Sequence, residues 1–398
     1  MRLKIAYILP QFPVSTQTFA VSDIAAVLAL GNDVTVHVIK PLDDEAKAGL
    51  MGIDLPDGLD VDRPQDLWRT ALISLRRLLL SGRLAGRCVS MGFRSPKELA
   101  IALACVPRAI EISESVRFSD VVHAFWGRHP SLILEALRLG GASPVRSIFV
   151  GAYDLVRADF LVDIGLSCAH LVFTHAEANR PFFTARGITN LKVIHRGIPL
   201  DRIPRSDAPR DPDLLITASA LTSEKNVEGV IRAFAAAARS HADLKLWVCG
   251  SGPEENRLRE LADALGVSNA VTFHGYVRRE RLFEMMQQST IYLNLSTKAS
   301  ERLPNVLKEA MFTGCYIISS PSDGIEELIF SPTVGDIVPA NDEAQILASI
   351  DRAIAEDKRA ADHRRHTAMT FVAQQMSSAG SMRRYVEEWH SAISAAEQ

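Results

Sequence analysis

In the segment SERLPNVLKEAMFTG (300–314), Glu301 and Glu309 are separated by seven residues, and Pro304, Asn305 and Val306 lie between them. Pro304 suits a first helical turn, Val306, Leu307, Ala310 and Met311 fall on one apolar face, and Gly314 supplies a stop. The first backbone N–H groups of such a helix have no carbonyl within the helix to bond, so the amides around Leu303, Asn305 and Val306 form an anion site suited to a diphosphate. Glu301, just before the helix, is positioned to face a sugar ring. Glu309, deeper along it, is positioned to accept hydrogen bonds from ribose hydroxyls. The plain alternative is a loop acid followed by ordinary solvated helix residues.

A second segment, ASALTSEKNVEGVIRAF (218–234), weighs against that alternative, because it puts Lys225 at the start of a helix whose apolar face is Val227, Val230, Ile231 and Phe234. A cation there opposes the helix dipole by some tenths of a kcal/mol, a cost that a bound anion would offset. Lys225 is therefore a candidate phosphate ligand.

The elements that must carry these groups follow from the pattern of apolar runs. Strands are expected at 3–9, 34–39, 121–125, 147–150, 171–174 and 192–195, then at 214–218, 244–249, 271–274, 291–295, 316–319 and 336–338. Helical periods lie between most of them, which is the signature of βαβ units and parallel sheets. In such sheets ligands bind beyond the carboxyl ends of the strands, so the loops after strands are where chemistry is sought. The stretch 200–213 holds three prolines and seven charged residues, which suits an exposed connection. We expect domains at 1–203 and 204–375, and a C-terminal helix at 376–398 that packs back on the first domain through Met382, Tyr385, Val386 and Trp389.

The 398 residues are enough for two cores, and 47% hydrophobic content, 23% charged content and a net charge of -3 exclude the basic excess of a nucleic-acid binder. The opening MRLKIAYILP reads as a strand rather than a leader, and no apolar run approaches the ~18 residues that span a bilayer, so a cytoplasmic protein is expected. Five scattered cysteines signal neither a disulfide framework nor a zinc site, and no motif asks for a metal.

These segments resemble those of retaining glycosyltransferase family 4. SERLPNVLKEAMFTG is similar to that family's EGLPNVLLEAMACG, with Glu301 and Glu309 as its Glu-x7-Glu pair, and Lys225 matches its diphosphate-contacting lysine. The stretch 248–277 resembles its glycine-proline turn and base-binding loop, which implies that Gly275 and Tyr276 lie against the nucleobase. ILPQFPVSTQTF (8–19) resembles the opening of members that assemble bacterial exopolysaccharides such as colanic acid, and VIHRGIPLDRI (193–203) the segment before the interdomain linker. The resemblance implies an α/β GT-B fold, with two Rossmann-like domains and parallel sheets facing across a cleft. It also implies donor contacts from Leu303, Pro304, Asn305, Val306 and Glu309, and catalytic roles for Glu301 and Lys225. Ser15, Thr16, His123 and Asp154 are implied on the acceptor side. No cofactor or metal is implied beyond a nucleotide-diphosphate sugar as co-substrate.

Two positions depart from the family pattern. Gly151 stands where a histidine usually faces the donor sugar, with Asp154 kept, and Ala220 stands where an arginine usually accompanies the lysine. Lys298 and Arg196 are the substitutes considered. The expected reaction moves a sugar from a nucleotide diphosphate to a hydroxyl of a glycan or lipid-linked glycan, in bacterial surface polysaccharide synthesis. A nucleotide-sugar epimerase of the same fold and a noncatalytic nucleotide-sugar-binding scaffold are the rivals. Finally, residues 67–108 carry eight basic residues and the single acid Glu98, with Trp68, Leu72, Leu75, Leu79 and Leu80 interspersed at near-helical spacing. Such a stretch fits either a core-packed helix with a solvated basic face or a peripheral contact with an anionic membrane surface.

Overall fold

A computed structural model describes residues 2–14, 18–42, 55–64, 67–157, 159–204, 209–298 and 301–396. The chain divides into two compact units, one formed by Met1–Arg196 with Ser378–Gln398, the other by Gly197–Ser377.

The first unit is built on strands β1 (Lys4–Leu9), β2 (Asp33–Val38), β3 (Asp60–Asp62), β4 (Val121–Phe125), β5 (Val145–Phe149), β6 (Leu171–Thr174) and β7 (Leu191–Val193). They form one parallel sheet in the order β3-β2-β1-β4-β5-β6-β7. Ile5 is in register with Val34 on one side and Val121 on the other, so the order reverses at β1. β3 is missing from the expected set: it is a three-residue edge strand, DVD, with no buried residue to give an apolar run. The other strands of this sheet fall within two residues of expectation.

The helix Ser378–Ala396 covers one face of this sheet, with Met382, Tyr385 and Trp389 at 3%, 5% and 0% exposure. Tyr385 stacks on Phe173 at 4.0 Å, and Trp389 donates from Nε1 to Ser147 Oγ at 3.0 Å. Burial of three such side chains is worth several kcal/mol. The run at 67–108 resolves into helices Leu67–Arg76, Leu78–Gly92 and Pro96–Ser115. Arg108 does not belong to a basic face: it is buried, bonds the Val38 carbonyl, and pairs with Asp62 at 2.9 Å and Glu111 at 2.9 Å. The side chains of Trp68 and Arg69 lie outside the described residues. Leu72, Leu75, Leu78 and Leu79 are 49%, 65%, 65% and 86% exposed.

The second unit carries β8 (Asp211–Ala218), β9 (Lys245–Cys249), β10 (Val271–Gly275), β11 (Ser289–Asn294), β12 (Tyr316–Ser319) and β13 (Gly335–Ile337), all parallel, in the order β10-β9-β8-β11-β12-β13. The order reverses at β8, which pairs with β9 and β11. Loops leaving β8 and β11 therefore meet at a topological switch point, the usual place for a ligand in an open parallel sheet. All five cysteines are buried and free. Among the described residues no helix is long and apolar enough to cross a membrane.

Candidate functional site

The loop after β8 and the loop after β11 are tied to each other at the switch point of the second unit. Thr297 donates its backbone N–H to the Glu224 carbonyl at 2.8 Å, and Asn226 Nδ2 donates to the Leu295 carbonyl at 3.1 Å. Lys225 does not start the following helix. It closes a short 3-10 turn, Ser223–Lys225, and Asn226 caps the helix Val227–Ala238 from a left-handed conformation (φ 49°) by accepting the Gly229 N–H at 3.1 Å. The cap frees Lys225 to point away from the helix. Its Nζ meets Glu301 Oε1 at 2.5 Å, with the two side chains 21% and 16% exposed. Glu301 Oε2 is buried and has no hydrogen-bond partner among the described residues.

Beyond Glu301 the chain turns through Leu303, buried at 2% with φ 48°. A left-handed conformation costs a branched residue of order 1–3 kcal/mol and persists only where packing enforces it. Pro304 is the cap rather than the first helical residue, and the helix is Asn305–Thr313. Its ring fixes the entry while its missing N–H removes a donor that would otherwise be unsatisfied. Leu307, Ala310 and Met311 are fully buried, and Gly314 ends the helix with φ 94°. Neither charged residue of that helix is solvated: Lys308 is 1% exposed, with Nζ 3.1 Å from Asn305 Oδ1, and Glu309 is 6% exposed. Burial pushes the Glu309 carboxyl above the usual range, while the Arg279 guanidinium, which donates to Oε1, opposes that shift.

Arg279 was not expected. It opens the helix Arg279–Gln288 from within the run VRRERL (277–282), whose three arginines disguise the one that turns inward. Lys298 pairs with Glu224 at 3.4 Å, and Arg196, in the first unit, is taken up by Asp23 at 2.9 Å.

Beside the Lys225 loop lies a cavity of about 320 Å³ lined by Ser219, Ala220, Gly250, Ser251, Tyr276 and Val277, among others. Its floor depends on glycine. A Cβ on Gly250 (φ 135°) would stand 1.8 Å from the Ser219 carbonyl oxygen, and one on Gly252 2.4 Å from that of Leu221. The Gly250 N–H is thereby brought to the Gly275 carbonyl at 2.7 Å. Gly275 ends β10 with φ 63°, and Tyr276 beyond it is 80% exposed. The geometry thus groups Lys225, Glu301, Leu303, Pro304, Asn305, Val306 and Glu309 on the loops and helix at the β8/β11 switch point, and puts Tyr276, next to Gly275, in the lining of the adjoining cavity. Among the described residues no group of three or more His, Cys, Asp or Glu is arranged to hold a metal ion.

In the first unit, Ser15 and Thr16 lie outside the described residues. His123 requires a correction. It is 1% exposed, its Nδ1 is 2.8 Å from Ser147 Oγ, and the rings of Tyr7, Trp389 and Tyr385 surround it at 5.0, 5.4 and 5.7 Å. Burial and the nearby Arg196 charge depress it to about 3, so it is a neutral core histidine, not an acceptor contact. Asp154, 1% exposed, accepts the Gly151 N–H at 3.0 Å, and burial raises it to about 7. A Cβ on Gly151 would stand 2.5 Å from Trp126 Cζ3, and Trp126 itself has φ 79°. The indole occupies the space that a side chain at 151 would need.

Residues 201–368 match the family model for glycosyl transferases group 1. The chain is 23% identical over 390 residues to a putative colanic acid biosynthesis glycosyltransferase, WcaL, of Salmonella typhimurium, covering 87% of this chain and 89% of the relative. To an amylovoran biosynthesis glycosyltransferase, AmsK, of Erwinia amylovora it is 25% identical over 378 residues, with the same coverage of each. Among solved structures, Anabaena HepE in complex with UDP superposes with a TM-score of 0.69 at 16% identity, over 98% of this chain and 100% of that one. The lipopolysaccharide outer core galactosyltransferase WaaB superposes at 0.66 and 15% identity, over 99% of each chain. The fold shared with these structures is GT-B.

Proposed function

We propose that this chain, which resembles exopolysaccharide enzymes along most of its length, is a nucleotide-sugar-dependent glycosyltransferase of bacterial surface polysaccharide synthesis. The observation that carries the reading is the grouping of Lys225, Glu301, Glu309 and the free amides of Asn305 and Val306 at one strand switch point of the second unit. A diphosphate at that helix start draws Lys225 from Glu301 and takes up the amide donors. Glu301, released, accepts hydrogen bonds from the donor sugar, and Glu309 accepts them from the ribose. The base lies in the cavity beside Gly275 and Tyr276.

Transfer proceeds with retention. The bond from the anomeric carbon to the diphosphate oxygen breaks as the acceptor oxygen bonds the same face, and the departing phosphate oxygen takes the acceptor proton. Negative charge growing on the leaving group is met by Lys225 and the amides without a metal ion, and fixed donors of this kind contribute about 3–4 kcal/mol each in a transition state. The acceptor is a glycan or lipid-linked glycan. The exposed Leu72, Leu75, Leu78 and Leu79, set among Arg76, Arg77 and Arg83, support a peripheral contact with an anionic membrane at its cytoplasmic face.

Ala220 at the cavity wall favours a second reading, a nucleotide-sugar-binding scaffold without turnover. Incubation of UDP-, GDP- and ADP-sugars with the lipid-linked glycans of the source cell, followed by proton NMR of the product's anomeric coupling, separates the readings. A product with the donor's anomeric configuration is expected. An inverted product, or conversion of the nucleotide sugar with no acceptor present, would overturn the proposal, and binding without product would favour the scaffold.

A further inference from the structure

The first unit has its own cavity, about 500 Å³, beyond the carboxyl ends of β1 and β4, with Gln11, Lys40, Trp126, Arg128 and Asp154 among its lining residues. Its described charged lining is Lys40 and Arg128 against Asp154. Lys40 Nζ lies 3.4 Å from His129 Nε2, and among the described residues no carboxylate pairs with it. His129 cannot share the positive charge, because burial, followed by the charges of Lys40 and Arg128, depresses it to about 4. It is a neutral acceptor at pH 7. Asp154, raised by burial to about 7, neutralises the site only partly. Arg128 is held at the rim by Asp159 through Nε at 2.5 Å, which leaves its terminal amino groups as donors.

One wall is aromatic. Trp126 is held at φ 79° against Phe125, Phe149 and Phe19, with ring centroids 5.6, 5.6 and 6.0 Å away. Packing that enforces a left-handed tryptophan marks a position whose geometry is specified, and such strain concentrates at ligand sites. An aromatic face beside an ammonium that no described carboxylate pairs with matches a sugar ring carrying an anionic group.

We infer that this cavity is a subsite for a carboxylate or phosphate carried on a sugar, with Lys40 reading the charge and Trp126 offering the face against which the ring lies. The inference rests on the reading of the chain as a transferase with a glycan acceptor, and it narrows that acceptor to an acidic one. A lysine ammonium discriminates charge through a charge-assisted hydrogen bond, a contact that shifts affinity about tenfold or more.

The test is equilibrium binding to the full chain of methyl β-D-glucuronide, glucose 6-phosphate, methyl β-D-glucoside and inorganic phosphate, with UDP, GDP and ADP titrated in parallel. At least one acidic sugar should bind about tenfold more tightly than the glucoside. Which one does so separates a carboxylate from a phosphate. The preference should vanish in Lys40→Met and persist in Lys40→Arg, which keeps the charge in a folded protein. Equal binding of acidic and neutral sugars, survival of the preference in Lys40→Met, its loss in Lys40→Arg as well, or phosphate alone binding as well as glucose 6-phosphate would each overturn the inference. Nucleotide binding without the acidic preference sinks only this subsite. The preference without nucleotide binding sinks only the donor reading.

Discussion

Replacing Glu301 by Gln separates the two tasks assigned to the Lys225–Glu301 pair. Lys225 Nζ is 2.5 Å from Glu301 Oε1 and the side chains are 21% and 16% exposed, so the bond is mostly shielded from water. A charge-assisted hydrogen bond of this kind contributes about 1.5–3 kcal/mol, reduced here by the exposed fifth of the lysine, against about 1 kcal/mol for a neutral amide acceptor. A diphosphate must displace that bond to recruit the lysine. Glu301→Gln lowers the cost by about 1 kcal/mol and should tighten nucleoside diphosphate binding about fivefold. The same change removes a charged acceptor from the donor sugar, so kcat/KM should fall by about 10- to 100-fold. Isothermal titration with the diphosphate and steady-state kinetics with its sugar read the two effects separately. Lys225→Ala should weaken both. If Glu301→Gln weakens the diphosphate as much as Lys225→Ala does, the carboxylate supports the phosphate site rather than competing for its lysine, and the reasoning fails.

Gly250→Ala places a methyl group 1.8 Å from the Ser219 oxygen at φ 135°, and backbone strain with overpacking should destabilise the fold by about 2–4 kcal/mol, lowering Tm by roughly 5–10 °C. An unchanged melting curve would mean that the two loops are not in fixed contact. His123, depressed from the ordinary 6.5 to about 3, stabilises fully above pH 6.5 and loses its contribution as pH falls toward 3. By pH 5 the loss is about 2 kcal/mol, so urea midpoints of His123→Asn should fall less between pH 7.5 and 5 than those of the wild type; parallel falls would count against the buried neutral ring. Leu79, 86% exposed, should anchor the chain to anionic vesicles, and Leu79→Glu should reduce flotation with vesicles containing phosphatidylglycerol. Equal flotation of both proteins would exclude this face as the contact.

The parallel sheets were legible because buried βαβ strands read as continuous Val- and Ile-rich runs, as in Val121–Phe125 and Tyr316–Ser319. β3 was not, because an edge strand of Asp60, Val61 and Asp62 has no apolar periodicity. The spacing of Glu301 and Glu309, the lysine before a helix and the glycine stop at Gly314 could be read locally, since each is a matter of one loop and one helix. Partners could not. That Lys225 reaches Glu301, that Arg279 rather than Arg278 or Arg281 meets Glu309, and that Lys308 is buried all depend on how separate loops and helices meet on the sheet. His123 shows the same limit from the other side. A histidine ending a strand reads as a site residue until Tyr7, Tyr385 and Trp389 are seen to enclose it. Gly151 reads as a lost side chain, whereas Trp126 occupies its place.

The proposed function requires the second unit to bind a nucleotide-diphosphate sugar through Lys225 and Glu309. The most direct measurement is thermal stabilisation of the chain by uridine, guanosine and adenosine diphosphates and their sugars, repeated with Lys225→Ala and Glu309→Ala. Ligand at about 100 times its Kd stabilises the native state by about 2.7 kcal/mol, which is readily seen as a rise in Tm. One base should raise Tm in the wild type, and both variants should lose the rise. No shift with any nucleotide, or a shift retained in both variants, would contradict the account.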